Sequence, residues 1–490
     1  MRVVRYADFG ARGDGRTDDL PAVVRAHAFA NEHGLAVRAD DDATYYLGGQ
    51  DLTAVIQTDT DFGKAKFIID DTAVQNRKAN LFEVRSALEP IEPRGVDSLK
   101  RGQARLDAAL PGPCVVLVTD ANTKRFIRRG LNLNDGSSQT DVFLVNERGR
   151  VDPLTPIIWD FDQITEIIAL PVDPEPLKIT GGHFTTRANA AESRYTYYAR
   201  GIAIRRSNVL VGGLEHHVVG EGDHGAPYAG FLNISRCANV TVRDTILTGR
   251  KTYRTIGRAG EPVSMGSYDI QINRALNVSL IDCRQTNDIM DRTYWGIMAS
   301  NHSKNLRYER CTLSRFDAHQ GVYHATITDS TLGYMGIQVI GGGTLRVETT
   351  TVQGKRFINL RPDYGSTWQG DFVIRDCVFK PGGGRGGVSL IGGRNDGQHD
   401  FGYACAMPRR IEIDGLHIDD AERPDDAPGP AIFADFNPRF DHPDYVEPFP
   451  YRKTRKVIPK DVTSARGKQL RLSDNPVMFE KVVIPSHAVP

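Results

Sequence analysis

Seven short windows of this chain can be laid on one another: "SNVLVGGLEH" from Ser207, "CANVTVRDTIL" from Cys237, "ALNVSLIDCRQ" from Ala275, "SKNLRYERCTL" from Ser303, "GGTLRVETTTV" from Gly342, "GDFVIRDCVF" from Gly370 and "PRRIEIDGLHI" from Pro408. They return at intervals of roughly twenty to forty residues, the spacing of a solenoid repeat. Each alternates apolar and polar residues over a few positions and is bounded by Gly, Asn or Asp, which is the pattern of a strand between turns. A further strand-like segment precedes each turn, among them "GIAIRR" from Gly201, "GFLNIS" from Gly230 and "YDIQIN" from Tyr268. No helical stretch long enough for a βαβ crossover separates them, which disfavours a doubly wound sheet or a (β/α)8 barrel. Strands with no partner inside their own repeat must pair with the repeats before and after. The expected fold is therefore an all-β solenoid, a parallel β-helix.

Two registers sharpen this reading. Asn208, Asn239, Asn277 and Asn305 fall at one position of the repeat, where a side-chain amide can bond the backbone of a tight turn and its equivalent in the next coil. Cys283, Cys311 and Cys377 share another, with Thr245 and Ser330 in equivalent places, so these thiols are expected to form a buried column of small residues. The six cysteines include no CxxC pair, which argues against metal fingers and a disulfide scaffold.

The ends and the middle depart from the repeat. Residues 7–34 open with "ADFGARGDGRTDD", turn chemistry in which Asp14, Asp18 and Asp19 are turn and cap residues. Leu20, Val23, Val24, Ala28 and Phe29 follow at helical spacing. A short helix here covers the open end of a solenoid, whose bare strand edges would invite aggregation. Residues 83–170 carry "CVVLVTD", "KRFIRRG" and "DVFLVNERG", a small β-rich insertion. The expected division is a cap with first coils (1–82), the insertion (83–170), the coil stack (171–438) and an irregular C-terminal segment with one more coil at "KVIPKDVTSARGKQLRL" (439–490). "GGGRGG" at 382–387 lacks the Lys-Ser/Thr ending of a phosphate loop and is a turn.

Lys plus Arg and Asp plus Glu balance at 61 each, so there is no basic field to track phosphates, and nucleic acid is not an expected partner. No apolar run spans a bilayer, and no export signal opens the chain; membrane association is not expected, and the location is cytoplasmic, or secreted or periplasmic if a leader has been removed.

The chemistry-bearing residues concentrate in the connecting loops at 215–228, 249–268, 285–295, 314–321 and 354–368. Stacked coils about 4.8 Å apart bring such loops to one side. Tyr294, Trp295, Tyr323, Tyr364 and Trp368 offer flat faces for sugar rings, and Arg292, Arg356 and Arg361 suit a substrate carboxylate. Lys251, Tyr253 and His224 belong to the same loops and are expected to contact substrate. His216, His217, Glu221, Asp223 and His224 invite a metal-site reading, but adjacent histidines on an extended chain point to opposite faces, and no metal site is expected.

The opening "DFGARGDGRTDD", followed by a helix and by stacked "xNVxIxxCxx" units, resembles the pectate-lyase-like superfamily of right-handed parallel β-helices, which includes polygalacturonase-type glycoside hydrolases, polysaccharide lyases and phage tailspikes. The resemblance covers the cap and most of 175–425. It implies a right-handed helix and a carbohydrate-active enzyme acting on an oligo- or polysaccharide. Laid on the polygalacturonase branch by coil position, its acidic motifs fall on Asp288 and Asp291 in "NDIMDRTYW" and on Asp317 and His319 in "FDAHQG". The third motif falls on Tyr334 in "LGYMG", and the basic residue that follows falls on Arg356 or Arg361. The expected acid/base pair is Asp291 with Asp317, tuned by His319. A hydrolase of this kind needs no cofactor. The rival lyase would use Lys251, Arg254 or Arg292 as base with carboxylate-held Ca²⁺. The third reading is a tailspike-like glycan-binding protein, for which a homo-oligomer, a trimer, is the assembly to expect.

Overall fold

The computed structural model describes residues 3–485 except Tyr195, Ile297 and Gln398. The chain divides into two compact units, Met1–Thr119 with Thr140–Ala299, and Asp120–Gln139 with Ser300–Pro490.

In the first unit the repeat is a ladder of parallel strands. Val37 stands beside Thr60, and the row continues through Ile179, Val211, Val242 and Leu280. A second wall stacks Ile56, Val84, Ile204, Ile234 and Ile272. A third runs Tyr45, Phe67, Phe184 and His216, with the Phe67 and Phe184 rings stacked at 4.7 Å between centroids. These rows face inward, and each strand's alternate residues face out, as a two-residue period requires. His216 is thus the end of an aromatic column and is buried, while His217 projects outward with 43% of its side chain exposed; the two diverge as expected of neighbours on an extended chain.

The second unit repeats the plan. One row is Leu306, Ala325, Leu345, Phe372, Ile411 and Val457, another Phe316, Ile337, Ile358, Ile391 and Phe433. The coil expected after residue 455 is present as Lys456–Ser464 and Arg471–Ser473, paired in parallel with the strands before them. The fold is a right-handed parallel β-helix.

The asparagine register forms a chain of amides. Asn239 donates to Asn208 Oδ1 at 2.9 Å and Asn277 donates to Asn239 Oδ1 at 2.9 Å. All three residues have left-handed backbones, with φ of 58°, 59° and 54°, a conformation that Asn tolerates and most L-residues resist. Asn239→Ala loses two ladder bonds and the tolerance, and a stability loss of about 1–3 kcal/mol is expected. Asn239→Gly, which keeps the backbone freedom, should lose less; denaturant unfolding of the two variants distinguishes them. The cysteine register is likewise a buried column. All six thiols are free and buried, and Cys377 Sγ meets the Arg375 and Val347 carbonyls at 3.1 and 3.5 Å.

The capping helix spans Leu20–His33 and buries Leu20, Ala22, Val23, Ala26, His27 and Ala30. Its inner face is rotated from the expected one: Ala28 is exposed and Phe29 only half-buried, because the Tyr6 hydroxyl, 2.9 Å from His27 Nε2, draws His27 inward. Asp18 accepts from the Leu20 amide at the helix start, while Asp19 accepts from the Arg12 and Gly13 amides and ties down the preceding turn.

The insertion contains a three-stranded sheet ordered Glu166–Pro171, Cys114–Arg125, Ser137–Val145. Val116 and Val118 face a separate small core with Phe143, Ile157 and Phe161. Their neighbours Val115 and Leu117 pack on Ala238 and Leu276 of the coil turns. Alternation along one strand therefore serves two cores.

Candidate functional site

The loops expected to form one groove fall into two sets, one in each unit. In the second unit, Thr312–Thr328 carries Asp317 on the outer face of the sheet, opposite the inward Phe316. That outer face is covered. The hairpin end 120–139 lies over it: the Ile127 amide donates to Phe401 O at 3.1 Å, His399 Nε2 is 2.9 Å from Ile127 O, and the Phe126 ring packs edge-on against Tyr364 and Tyr403. Arg128 reaches from this hairpin to Asp363 Oδ2 at 2.6 Å and to His319 Nε2 at 2.8 Å, and its guanidinium lies 4.2 Å from the Tyr364 ring centre.

Beneath it Asp317 is wholly buried, its two oxygens taken by Arg315 at 2.8 Å and Arg361 at 2.6 Å. A carboxylate so enclosed has no path to a sugar. The structure thus removes Asp317 from the expected Asp291–Asp317 pair: it balances the buried Arg315 and the partly buried Arg361. Arg361 is spent in the same way, bridging Asp317 and Asp363. Burial works to raise the Asp363 pKa, but Arg361, His319 and Arg128 hold it well below the ordinary range. His319, also bonded to Asn301 at 3.1 Å, is pushed down to about 3, by burial first and the Arg361 charge second; it is neutral at working pH. Tyr364 and Trp368, expected as sugar platforms, are 1% and 0% exposed and belong to the core. Arg356 donates to the Lys355 and Gly387 carbonyls, and Tyr334 is a half-buried residue of Thr331–Val339. Arg128→Ala should release the hairpin end without unravelling the coils: amide exchange across 120–139 is expected to rise while that of the strands Gly341–Glu348 and Arg410–Ile418 stays unchanged.

The first unit leaves its loops open. Lys251, in the short strand Arg250–Lys251, pairs antiparallel with Tyr294 of Tyr294–Gly296. The expected loop 249–268 continues as a hairpin, Tyr253–Ile256 with Pro262–Met265. Glu221 is half-buried against this element. Its carboxylate accepts from the Tyr253 hydroxyl at 3.1 Å and, at 3.3 Å, from the Lys251 amide, whose Nζ donates to the Glu221 carbonyl. Burial lifts the Glu221 carboxyl above its ordinary range, against the pull of Arg250 and the Lys251 amide.

Across the two-stranded element, Asn287 Oδ1 accepts from the Gly249 amide at 2.7 Å, which fixes the following loop. Asp288 there is exposed and accepts from the Met290 amide at 2.9 Å. Asp291 accepts from the Thr293 amide at 2.8 Å, and that bond holds its carboxyl below the ordinary range. Arg292 is exposed, and Tyr294 and Trp295 are half-exposed. Exposed His224 lines an adjoining open cleft of about 530 Å³ with Glu192, Arg194, Arg254 and Thr255.

Behind the loops lies a buried charge cluster. His216 Nδ1 is 2.8 Å from Asp269, and Arg250 donates to the same carboxylate at 3.2 Å with its guanidinium 3.8 Å from the Tyr228 ring centre. Sequence reasoning passed over Arg250, Asp269, Arg128 and Asp363, and named Glu221 only as a metal candidate. Only the oppositely shifted carboxyls mark the place. Among the described residues no group of three His, Cys, Asp or Glu side chains is arranged to hold a metal.

No family model matches the chain. A capsule KL64-specific depolymerase of Klebsiella phage P510 is 29% identical over 114 residues, which is 19% of this chain and 11% of that protein. The tailspike gp61 of Pseudomonas phage phi297 superposes with a TM-score of 0.56 at 13% identity, over 98% of this chain and 83% of its own. The gp54 tailspike of Acinetobacter baumannii phage AP22, solved with A. baumannii capsular saccharide, gives 0.54 at 10% identity, over 98% and 79%.

Proposed function

We propose that this chain, a right-handed parallel β-helix of the pectate-lyase-like superfamily, binds an oligo- or polysaccharide at the open loops of its first unit and hydrolyses a glycosidic bond there. One observation carries the reading. Glu221 and Asp291 border the same two-stranded element, and their surroundings push their proton affinities apart, Glu221 up and Asp291 down. Such a divided pair can supply an acid and an ionised partner at one pH. Glu221 is the proton donor to the leaving oxygen. Asp291, with Asp288 beside it, is the carboxylate that activates water or attacks the anomeric carbon. Tyr294 and Trp295 give a sugar ring apolar faces, and Arg292 and His224 its polar contacts. Likeness to a capsule depolymerase and to a tailspike solved with capsular saccharide supports a capsular saccharide as substrate.

A lyase is the second reading, favoured by the cations Lys251, Arg254 and Arg292 on the same loops; there one of them abstracts a proton beside a uronate carboxyl. Incubation with a panel of capsular and uronic-acid oligosaccharides decides between them. Hydrolysis is expected to release reducing ends with no ultraviolet-absorbing unsaturated product; appearance of that product assigns the lyase, and no cleavage of any kind removes the enzymatic reading.

A further inference from the structure

A groove on the outer face of the first unit has no part in that chemistry. It lies across the strands Thr60–Asp70, Leu177–Arg187 and Glu215–Val219, in an open space of about 600 Å³. Register puts Lys66, His183 and Glu215 on one row and Ile68, Thr185 and His217 on the next.

The acids of this face are already matched. Glu215 is held between His183 Nδ1 at 3.1 Å and His217 Nε2 at 2.5 Å, and Asp70 takes Arg187, Tyr46 and Thr72. Lys64 and Lys66 are exposed; among the described residues neither ammonium lies within ion-pair distance of a carboxylate, although the Asp41 carboxylate beside Lys64 accepts its backbone amide at 2.9 Å and feels its charge. Lys64 and Lys66 flank Ala65 at an irregularity of the strand, where three steps from Gly63 to Lys66 oppose two from Gly181 to His183. This is a pair of discrete cations in a trough and not a continuous basic track. Phe67, the one benzenoid ring of the lining, is buried beneath the sheet, and the His183 and His217 imidazoles are held edge-on by Glu215 through their ring nitrogens.

We propose that this groove is a binding site for an acidic saccharide, whose carboxylate or sulfate groups pair with Lys64 and Lys66 while the sugar lies along the Ile68–Thr185 row. The site is separate from the Glu221 loops and does not rest on the cleavage reading. Ion pairs made by exposed ammonium groups are individually weak, so the two lysines act together on one acidic chain.

The test is calorimetric titration of the full chain in the Glu221→Gln background, where turnover plays no part. The probes are hexagalacturonate and a chondroitin sulfate hexasaccharide, with maltohexaose and hexathymidylate as controls. At least one acidic saccharide is expected to bind, with affinity falling on the order of tenfold in Lys64→Ala/Lys66→Ala and returning in Lys64→Arg/Lys66→Arg. Unfolding temperature should be unchanged, as both side chains are exposed. The proposal is overturned if neither acidic saccharide binds, if the alanine variant binds as well as the parent, or if hexathymidylate binds as tightly. Loss of cleavage in Glu221→Gln, or its absence in the parent, alters none of these outcomes.

Discussion

Glu221→Gln is expected to lower kcat on a cleaved glycan by about 10²- to 10⁴-fold, the range associated with a positioned general acid, while the unfolding temperature holds or rises. Glutamine keeps the acceptor for the Tyr253 hydroxyl and removes a carboxyl that burial makes costly to ionise. The pH dependence carries the sign. A donor must be protonated, so activity falls as pH rises through the Glu221 pKa, which is above the ordinary glutamate value; the alkaline limb of the profile should disappear in the glutamine variant. Asp291 must be ionised, and its lowered pKa places the acidic limb below the ordinary aspartate range. The raised carboxyl also opposes folding once deprotonated, so Glu221 stabilises at low pH and that contribution is lost as pH climbs past its unfolded value toward its folded one. Kinetics and thermal unfolding of parent and variant across pH check both halves. A variant that cleaves like the parent would sink the assignment.

Asp317→Ala is the second large effect, and it is one of stability. Removing the acid takes the carboxylate from the buried Arg315 and one of two from Arg361, which keeps Asp363, at a cost of about 3–5 kcal/mol. The unfolding temperature should fall steeply, with protein that remains folded keeping its kcat. A catalytic Asp317 would give the reverse, an intact fold with lost turnover. Unfolding curves and single-turnover rates on the same preparation separate the two.

Much of this fold was legible because a parallel β-helix writes its rows into the chain. Asn208, Asn239 and Asn277 occupy one left-handed turn position in successive coils, and only residues that tolerate it recur there. The opposite facing of His216 and His217 likewise follows from strand period alone. The site was less legible, for two physical reasons. Asp317 sits on the outward side of its strand, as its position suggested. Whether that side meets water was decided by the hairpin end 120–139, about two hundred residues earlier in the sequence. Six consecutive residues from Leu313 to Ala318 are buried, and a two-residue period cannot signal a strand covered on both faces. Glu221, for its part, stands in an aperiodic loop, and its upward shift comes from burial against an element some thirty residues later, opposing the pull of Arg250, Lys251 and Tyr253 from that same element. No spacing rule connects them. The capping helix missed by one facet for a similar reason, since the partner that turned it is Tyr6.

Burial should leave the Glu221 carboxyl holding its proton at a pH where an ordinary glutamate has lost it. Carbon-13 NMR titration of the glutamate side chains, with the Glu221 signal assigned by its absence in Glu221→Gln, reads that directly. A midpoint clearly above the ordinary glutamate value, with Asp291 titrating below the ordinary aspartate value in the same sample, is the predicted result; a Glu221 midpoint at or below that of exposed glutamates contradicts it.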